Sequence, residues 1–298
     1  MDSLSHMLIA WILLQLVNAV YLLPFAILGS LIPDLDVFSM VLSKRFPRLY
    51  IFTHGGFTHS IVGAIVTAGA IYAGTLIAGE ALSVPVWDLG AAPFLVILLM
   101  GFVHLLLDSL AYPGIPVLYP FSHTKYTWGV FPGPSIFVLG FTLVFLAAYP
   151  VTHWNCPSTA LYVVVFSLFL GISVLYKGGI AIALKGRTIP TFNPFVWLTI
   201  EETADVFTVR KYLLLRGYRD TKIYPKYNRV TPSEVEPYKN SMEVQQLLYN
   251  SYIMIAERDN EGIVLRDPLR EDGFIFYPNQ HTRVHLPPPK MAMQEYHA

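Results

Sequence analysis

Long apolar segments alternate with short polar loops in the first two thirds of the chain. Each of four segments is near the roughly 20 residues that a helix needs to cross the hydrocarbon core of a bilayer. A fifth apolar region opens the chain and ends at Pro33 and Asp34. The pattern predicts an all-α polytopic membrane helix bundle with apolar segments at about 7–32, 57–79, 91–112, 135–153 and 158–184.

Composition supports this class. The chain is 54% hydrophobic and 13% charged, whereas soluble domains have roughly 25% charged residues. The first apolar region begins without Lys or Arg and ends at a proline, so it does not read as a secretory signal. Cys156 is the only cysteine, which excludes an intramolecular disulfide and a thiolate metal cluster. Any metal must therefore be held by nitrogen and oxygen.

Basic residues in the loops indicate the orientation. The loops at about 80–90 and 154–157 have no Lys or Arg. Cationic loops stay on the cytoplasmic side of a membrane, so the loops at 33–56 and 113–134 and the C-terminal part are expected in the cytoplasm. The basic residues behind this assignment are Lys44, Arg45, Arg48, Lys125, Lys177, Lys185 and Arg187.

The chain changes character after Leu184. We expect a membrane helix bundle over residues 1–186, a small α+β cytoplasmic domain over 187–290 and a tail over 291–298. Ser233–Asn250 has a helical composition, and Arg258–Gly262 suits a hairpin turn. Runs rich in Val, Ile, Tyr and Phe predict strands at Asp205–Leu215, Tyr252–Glu257, Gly262–Leu265 and Gly273–Tyr277.

Ionisable side chains gather at the ends of the apolar segments. His104 and Asp108 are four residues apart, hence on one helix face and within reach of one ion. A hydrogen bond between packed helices would explain the same pair.

Asp34 and Asp36 follow the first apolar run. Asp34 alone could be a helix cap, whereas a second carboxylate two residues on adds repulsion that a cation would relieve.

Three more histidines lie in the same part of the chain. His54 and His59 flank the start of the second apolar segment and could bind a metal or be interfacial side chains. His6 could be a surface residue of the first helix. If His6 is a ligand together with Asp34, the region 7–32 must fold back as a hairpin, with a bend around Val17–Pro24, because one continuous helix would separate the two residues by roughly 40 Å.

The remaining histidines and basic residues are weaker candidates for a binding site. His123 and Lys125 lie in a loop on the expected face and could hold an anionic substrate, although an ordinary loop residue explains His123 as well. His153 is expected on the opposite face. His281 and His285 read as surface residues. The basic stretch Arg210, Lys211, Arg216 and Arg219 could lie near anionic headgroups, with a solvated face as the alternative.

Several short motifs together resemble a known family. Their order and spacing are similar to those of the membrane-bound metal-dependent hydrolases described as LexA-binding inner-membrane proteins (YdjM/YfhP-like). The stretch Ile189–Trp197 followed by Glu201-Glu202 looks like the larger YfhP-like branch. The motifs are Ser5-His6, Ile32-Pro33-Asp34-Leu35-Asp36, His54-Gly55-Gly56-Phe57-Thr58-His59-Ser60, His104-Leu-Leu-Leu-Asp108-Ser109 and Tyr119-Pro120-Phe121-Ser122.

The resemblance implies a ligand set. The family is remotely similar to zinc phospholipase C and P1 nuclease, in which His and Asp residues of this kind hold a zinc cluster. A counterpart of their His-x-x-x-Glu pair is missing, which favours one or two ions over three. Gly55 stands where the family usually has an arginine. If that arginine binds an anionic group, this chain must use another cation, for which Lys125 is a candidate. The implied metal ligands are His6, Asp34, Asp36, His59, His104 and Asp108.

The sequence therefore predicts a metal-dependent hydrolase in the inner membrane, with zinc the expected ion. Asp34, Asp36 and His54 are the candidate catalytic residues, and Lys125 and His123 the candidate substrate-binding residues. The expected substrate is a phosphoric ester of a lipid or another membrane-associated molecule, attacked by a metal-activated water. The alternative is a membrane-anchored regulator with a structural metal and a cytoplasmic protein partner. Direct nucleic-acid binding is not expected.

Overall fold

The structure is a computed structural model that describes residues 2–38, 46, 55–133, 135–152, 156–260, 262–275 and 282–286. The chain divides into two compact units, residues 1–197 and 198–298. The first unit is mainly helical, and the second is rich in β-strands. The expected domain boundary at 186/187 stays a prediction.

The helices of the first unit follow the apolar segments of the sequence. Two helices, Ile61–Leu82 and Thr159–Ala183, are long and apolar enough to cross a membrane, and other apolar helices in the described part are shorter. The predicted helical region with membrane-spanning character is thus confirmed, with two candidate spans. The helices are α1 (Ser3–Leu16), α2 (Leu23–Leu31), α3 (Ile61–Leu82), α4 (Ala92–Asp108), α5 (Ile136–Thr152) and α6 (Cys156–Ala183).

The first apolar region is a helical hairpin. Asp2 caps the start of helix α1, and its carboxylate accepts a hydrogen bond from the Ser5 N–H at 2.9 Å. The chain breaks after Leu16, where Asn18 adopts the left-handed region with φ +54°, a conformation that Asn tolerates better than most residues. Helix α2 then returns, so that the Ser3 hydroxyl donates to Asp34 at 2.6 Å. The predicted bend at Val17–Pro24 is confirmed, and the single continuous helix is excluded.

Helices α2 and α4 pack closely through a glycine. A Cβ atom added at Gly29 would lie 2.3 Å from the carbonyl oxygen of Ile97, so a larger residue would separate the helices. Gly101, one turn further along α4, packs beside Ala64 of α3. Small side chains allow such backbone approach between apolar helices. This contact sets the distance between the end of α2 and the last two turns of α4.

Loop 109–131 folds back onto the end of α4. The N–H of Trp128 donates to the Ser109 carbonyl at 2.8 Å, and the N–H of Val130 donates to the Leu110 carbonyl at 2.8 Å. Because these backbone groups are paired, the loop is fixed beside the C-terminal end of the helix that carries His104 and Asp108.

Eight strands in the described residues form two small sheets of four strands each. The strands are β1 (Arg187–Pro190), β2 (Val196–Glu202), β3 (Val206–Leu213), β4 (Gly217–Pro225), β5 (Tyr227–Asn228), β6 (Ile255–Arg258), β7 (Ile263–Arg266) and β8 (Arg283–Leu286). The strand orders are β1–β2–β3–β4 and β5–β6–β7–β8. Pairs β3–β4, β6–β7 and β7–β8 are antiparallel, and β5–β6 is parallel. The expected α+β character is confirmed as a C-terminal part rich in strands.

Two predictions for the C-terminal part are corrected. Ser233–Asn250 is not one helix: it contains α7 (Pro232–Val235), a 3₁₀ turn and α8 (Met242–Asn250), which Ser241 caps. A strand over Gly273–Tyr277 is wrong for residues 273–275, which follow α9 (Pro268–Glu271) without strand pairing; residues 276 and 277 lie outside the described part. The hairpin turn after Arg258 is confirmed by the β6–β7 pairing.

Candidate metal centre

Four side chains bring one nitrogen or oxygen atom each to a common point in the helical unit. The four atoms lie within 4.8 Å of one another. The residues are 0–8% exposed, and buried ionisable groups need partners or a cation. They come from the 3₁₀ helix that follows α2, the 3₁₀ turn Phe57–His59 before α3, and the last two turns of α4. The four residues, here called the ligand cluster, are Asp34, His59, His104 and Asp108.

Three of these residues have the spacing that a small cation requires. The Nε2 atoms of His59 and His104 are 3.3 Å apart, and Asp108 Oδ2 lies 3.3 Å and 3.4 Å from them. Two ligand atoms at tetrahedral zinc are about 3.3 Å apart when each bond is near 2.05 Å. The residues present therefore fit a zinc-sized ion.

Asp34 lies at the wider side of the cluster. Its Oδ1 atom is 3.6 Å from His104 Nε2 and 3.8 Å from His59 Nε2. Its other oxygen, Oδ2, accepts the Ser3 hydroxyl bond at 2.6 Å. Ser3 of α1 therefore holds the carboxylate of Asp34 through Oδ2. Its Oδ1 atom faces the two imidazoles and lies farther from them than Asp108 Oδ2 does.

Hydrogen bonds on the far side of each ring fix which nitrogen faces the cluster. His104 Nδ1 lies 2.8 Å from the Ser30 carbonyl, which can only accept, so Nδ1 is the donor. His59 Nδ1 lies 3.1 Å from Asp36 Oδ2 and donates in the same way. In the neutral rings both Nε2 lone pairs then face each other, and this arrangement needs a cation between them.

The backbone partner of His104 follows from the sequence around Pro33. In a 3₁₀ turn the N–H of each residue bonds to the carbonyl three positions earlier. Pro33 is the second residue of the 3₁₀ helix Ile32–Phe38 and has no N–H. The Ser30 carbonyl is therefore left available, and the close approach of Gly29 to α4 brings it within reach of His104.

Asp36 lies behind His59 and outside the ligand cluster. It contacts Nδ1 of His59, whereas the cluster is formed on the Nε2 side. The Thr58 hydroxyl donates to the same carboxylate at 2.5 Å. A carboxylate in this position orients the imidazole and raises its basicity as a ligand. Direct metal binding by Asp36 stays a prediction.

His6 contacts the second oxygen of Asp108. Its Nε2 atom lies 3.1 Å from Asp108 Oδ1, and its ring stacks on His104 with centroids 3.8 Å apart. His6 is 2% exposed, and its Nδ1 atom has no hydrogen-bond partner among the described residues. The two oxygens of Asp108 thus face different histidines. Metal binding by His6 stays a prediction, although the structure brings it to the edge of the cluster.

The other predicted site residues are more distant or lie outside the described residues. His54 lies outside the described residues, as do His153 and His281, which were not expected at the site. His123 is exposed and has an edge contact with Tyr119, which contacts Phe57 beside His59. Lys125 is half-buried in the same loop. Substrate binding by His123 and Lys125 stays a prediction, as does a catalytic role for His54.

Three groups that support the site were not predicted from the sequence: the hydroxyls of Thr58 and Ser3 and the carbonyl of Ser30. Thr58 lies next to His59 in the chain, which is a signal for a role at the site. Ser3 faces Asp34 only because the first region folds back. The Ser30 group is a backbone carbonyl, and its one signal is the proline three residues later. These groups orient the predicted residues and do not replace them.

Comparison with known proteins identifies the family. No curated protein and no solved structure matches the chain. A family model described as "YdjM inner membrane protein" matches residues 1–180, more than half of the chain, and this range includes the ligand cluster, Asp36 and His6. The chain belongs to the YdjM inner membrane protein family.

Proposed function

We propose that this protein is a membrane-embedded, metal-dependent hydrolase of phosphoric esters, acting on a lipid or another membrane-associated substrate. The observation that carries the proposal is the pair of Nε2 atoms of His59 and His104, which face each other at 3.3 Å with Asp108 Oδ2 at similar distances. Nitrogen and oxygen ligands of this kind suit zinc among the divalent cations.

His59, His104 and Asp108 would hold the ion, and Asp34 would be a weaker fourth ligand or a free base. A divalent cation bound there supplies an acidified water and a counter-charge for a phosphoryl oxygen. The imidazoles keep their ligand tautomer through Ser30 and Asp36, so they are oriented before binding. Zinc is the expected metal, and its identity is part of the proposal.

Asp34 is the residue we assign as general base. Its Oδ2 atom is held by Ser3, whereas Oδ1 lies at the wide side of the cluster, 3.6 Å and 3.8 Å from the imidazoles. A water at that side would lie within reach of Oδ1, which would take its proton. Asp36 is less suited to this role because its Oδ2 is engaged by His59 and Thr58.

An apolar cavity supports the proposal of a lipid substrate. Part of its wall is formed by loop 109–131, which follows Asp108. The cavity has a volume of about 150 Å³, and its walls include Val130, Phe131, Phe169, Tyr176 and Trp197. The N–H of Val130 donates to the carbonyl of Leu110, two residues after Asp108. Apolar cavities with few polar groups suit hydrocarbon chains. His123 and Lys125 would contact the anionic group of the substrate.

One observation favours the regulator as a second candidate. All four residues of the ligand cluster are 0–8% exposed, and four protein ligands can saturate a tetrahedral ion. A saturated ion would be structural, and the cytoplasmic part would then recruit a protein partner. The coordination of the bound ion separates the two candidates, because a catalytic ion keeps one position open.

The test uses the full chain purified in detergent and reconstituted in phospholipid vesicles. Metal content, coordination number by X-ray absorption, and hydrolysis of a panel of phospholipids and lipid phosphates are measured together. The proposal expects about one or two ions per chain, an exchangeable oxygen ligand, and phosphoric ester hydrolysis that Asp34→Asn abolishes while metal is retained. His285→Ala, an exposed histidine, is the control. Saturated protein coordination without hydrolysis would overturn the proposal and support the regulator.

A further inference from the structure

The β3–β4 hairpin in the C-terminal unit has an apolar tip. Leu213 pairs with Gly217, and Leu214, Leu215 and Arg216 form the turn, which the Arg216 N–H closes by donating to the Leu213 carbonyl at 2.9 Å. Leu215 is 93% exposed. A leucine at this position buries almost none of its surface within its own unit, so the unit's core does not explain it.

Cationic side chains surround this tip. Residues 210–219 contain four Lys or Arg residues and no Asp or Glu. Lys211 lies opposite Arg219 across the two strands, and like charges in that position repel. Asp220 lies 3.4 Å from Lys211, whereas Arg216 and Arg219 have no ion pair with any residue that the structure describes. An anionic partner would relieve this repulsion.

Two tyrosines lie just below the tip. Tyr212 pairs with Tyr218 across the strands, and their rings meet edge to face with centroids 5.3 Å apart. The guanidinium of Arg210 lies over the Tyr218 ring at 5.5 Å. Tyrosine and arginine are enriched where a protein meets the interface of a bilayer, because each has an apolar part and a polar end.

We propose that the β3–β4 tip binds the anionic surface of the membrane, with Leu215 in the headgroup region and Arg216 and Arg219 on lipid phosphates. Each basic residue near an anionic leaflet contributes about fivefold to partitioning, or ~1 kcal/mol. Two arginines without an ion pair to a described residue and an exposed leucine form the combination that interfacial segments use. The chain belongs to a membrane protein family, so its C-terminal unit is tethered near a bilayer, and tethering raises the effective concentration of the surface.

The second hairpin of the same unit provides a matched control. The β6–β7 turn contains Asp259 and Asn260, and the Gly262 N–H bonds to the Asp259 carboxylate. Asp259 and Asn260 are exposed and polar. This tip also closes an antiparallel pair of strands, but its described turn residues include no leucine, and the adjacent Arg258 is paired with Glu234. It is therefore expected to stay in water.

The experiment uses the full chain with Cys156→Ser, since Cys156 is the only cysteine. A bimane fluorophore is attached at Leu215→Cys or at Asn260→Cys, and the protein is reconstituted in vesicles of phosphatidylcholine with or without phosphatidylglycerol. Quenching by a lipid-attached spin label reports membrane contact, and quenching by iodide reports water access. We expect lipid quenching at position 215 to be several-fold greater than at position 260, only with phosphatidylglycerol.

Charge variants separate membrane binding from other causes. Reversal by Arg216→Glu with Arg219→Glu should lower the partition constant of the tip by at least about 25-fold, because the loss of each arginine costs about fivefold and each glutamate adds repulsion. Arg216→Lys with Arg219→Lys should retain the partitioning. Equal iodide access at positions 215 and 260 would overturn the proposal. Protection from iodide without lipid quenching, together with cross-linking of position 215 to another protein, would also overturn it in favour of a protein interface. These outcomes do not depend on hydrolase activity.

Discussion

The Nε2 atoms of His59 and His104 lie 3.3 Å apart, and each ring is tied on its other side to a hydrogen-bond acceptor. Donation from both Nδ1 atoms leaves two lone pairs facing each other in a buried space. Such an arrangement is unfavourable by itself and favourable around a cation. The relationship links the residue types predicted from sequence to a specific, oriented pair of metal ligands, on which metal binding should depend.

Metal binding should depend on the three closely spaced ligands. His59→Ala, His104→Ala and Asp108→Ala should each lower metal affinity more than the roughly 10–100-fold typical of a lost outer-shell group, because each removes a ligand atom. Metal content of the purified protein by mass spectrometry is the measurement, and His285→Ala is the matched control. Full stoichiometric metal in all three variants would show that the cluster is not the binding site.

The carboxylate of Asp36 should act through His59. Asp36→Asn keeps the size of the side chain but removes the charge that orients the ring, so metal affinity should fall by about 10–100-fold without a change in the number of protein ligands. Titration with zinc and X-ray absorption measure the two quantities. Loss of one coordinated oxygen in Asp36→Asn would contradict this role and make Asp36 a direct ligand.

Gly29 should be required to place the Ser30 carbonyl within reach of His104. Gly29→Ala would place a Cβ atom 2.3 Å from the Ile97 carbonyl, which pushes α2 away from α4 and lengthens the bond from His104 to Ser30. Overpacking of this kind costs about 1–3 kcal/mol. We expect a lower thermal unfolding temperature in detergent together with weaker zinc binding.

The matched control for Gly29 is Gly69→Ala. Gly69 lies in α3 and has open space at the Cβ position, so alanine there should be neutral or stabilise the helix by up to about 1 kcal/mol. If Gly29→Ala behaves like Gly69→Ala in both measurements, the close packing of α2 on α4 does not position the site.

The family resemblance made His6 a ligand, and helix geometry then predicted the helical hairpin, because His6 and Asp34 can meet only if the first region bends. Residue type and the resemblance together predicted which ionisable residues would come together. The positions of Ser3 and the Ser30 carbonyl could not be predicted, since both depend on how α2 packs against its neighbours. Long-range packing of this kind has no local signal in the chain.

Errors in the C-terminal part have local physical causes. The strand expected at Gly273–Tyr277 rests on aromatic and branched residues, but Asp267 caps a short helix by accepting from the Leu269 N–H, and Gly273 then adopts φ +75°. This turn chemistry outweighs β-propensity. In the helix expected at Ser233–Asn250, a second cap at Ser241 starts a new helix and divides the segment.

Both chain termini should lie on the same side of the membrane. The hairpin of α1 and α2 returns His6 to Asp108 at the end of α4, so the N-terminus is on the face of the metal site. If α3 to α6 each cross the bilayer, the C-terminal unit returns to that face, which the loop charges assign to the cytoplasm. Reporters active only in the cytoplasm should score positive at both ends. A silent N-terminal reporter with an active C-terminal one would refute the re-entrant hairpin.

The last prediction concerns acid stability of the C-terminal unit. Tyr224 donates to Asp272 at 2.6 Å, and Lys222 lies 3.2 Å from the same oxygen. Partial burial acts to raise the pKa of Asp272, but the bonds from Tyr224 and Lys222 outweigh it and lower that pKa below its usual 3.8. A lowered carboxylate pKa stabilises the fold above the unfolded value, and the stabilisation is lost as pH falls through the folded value.

Tyr224→Phe should therefore destabilise the unit near neutral pH by about 1 kcal/mol, the lower range for a hydrogen bond to a partly exposed charge. The difference from the unmodified protein should begin to shrink below about pH 4, where Asp272 of the unfolded chain gains a proton, and should shrink further as pH falls through the lowered pKa of the folded state. Hydrogen exchange of strand β4, measured by mass spectrometry from pH 3 to pH 7, tests this. Tyr218→Phe is the control, because its hydroxyl has no hydrogen bond to a described residue. A difference that persists unchanged at pH 3 would show that Tyr224 contributes through packing and not through Asp272.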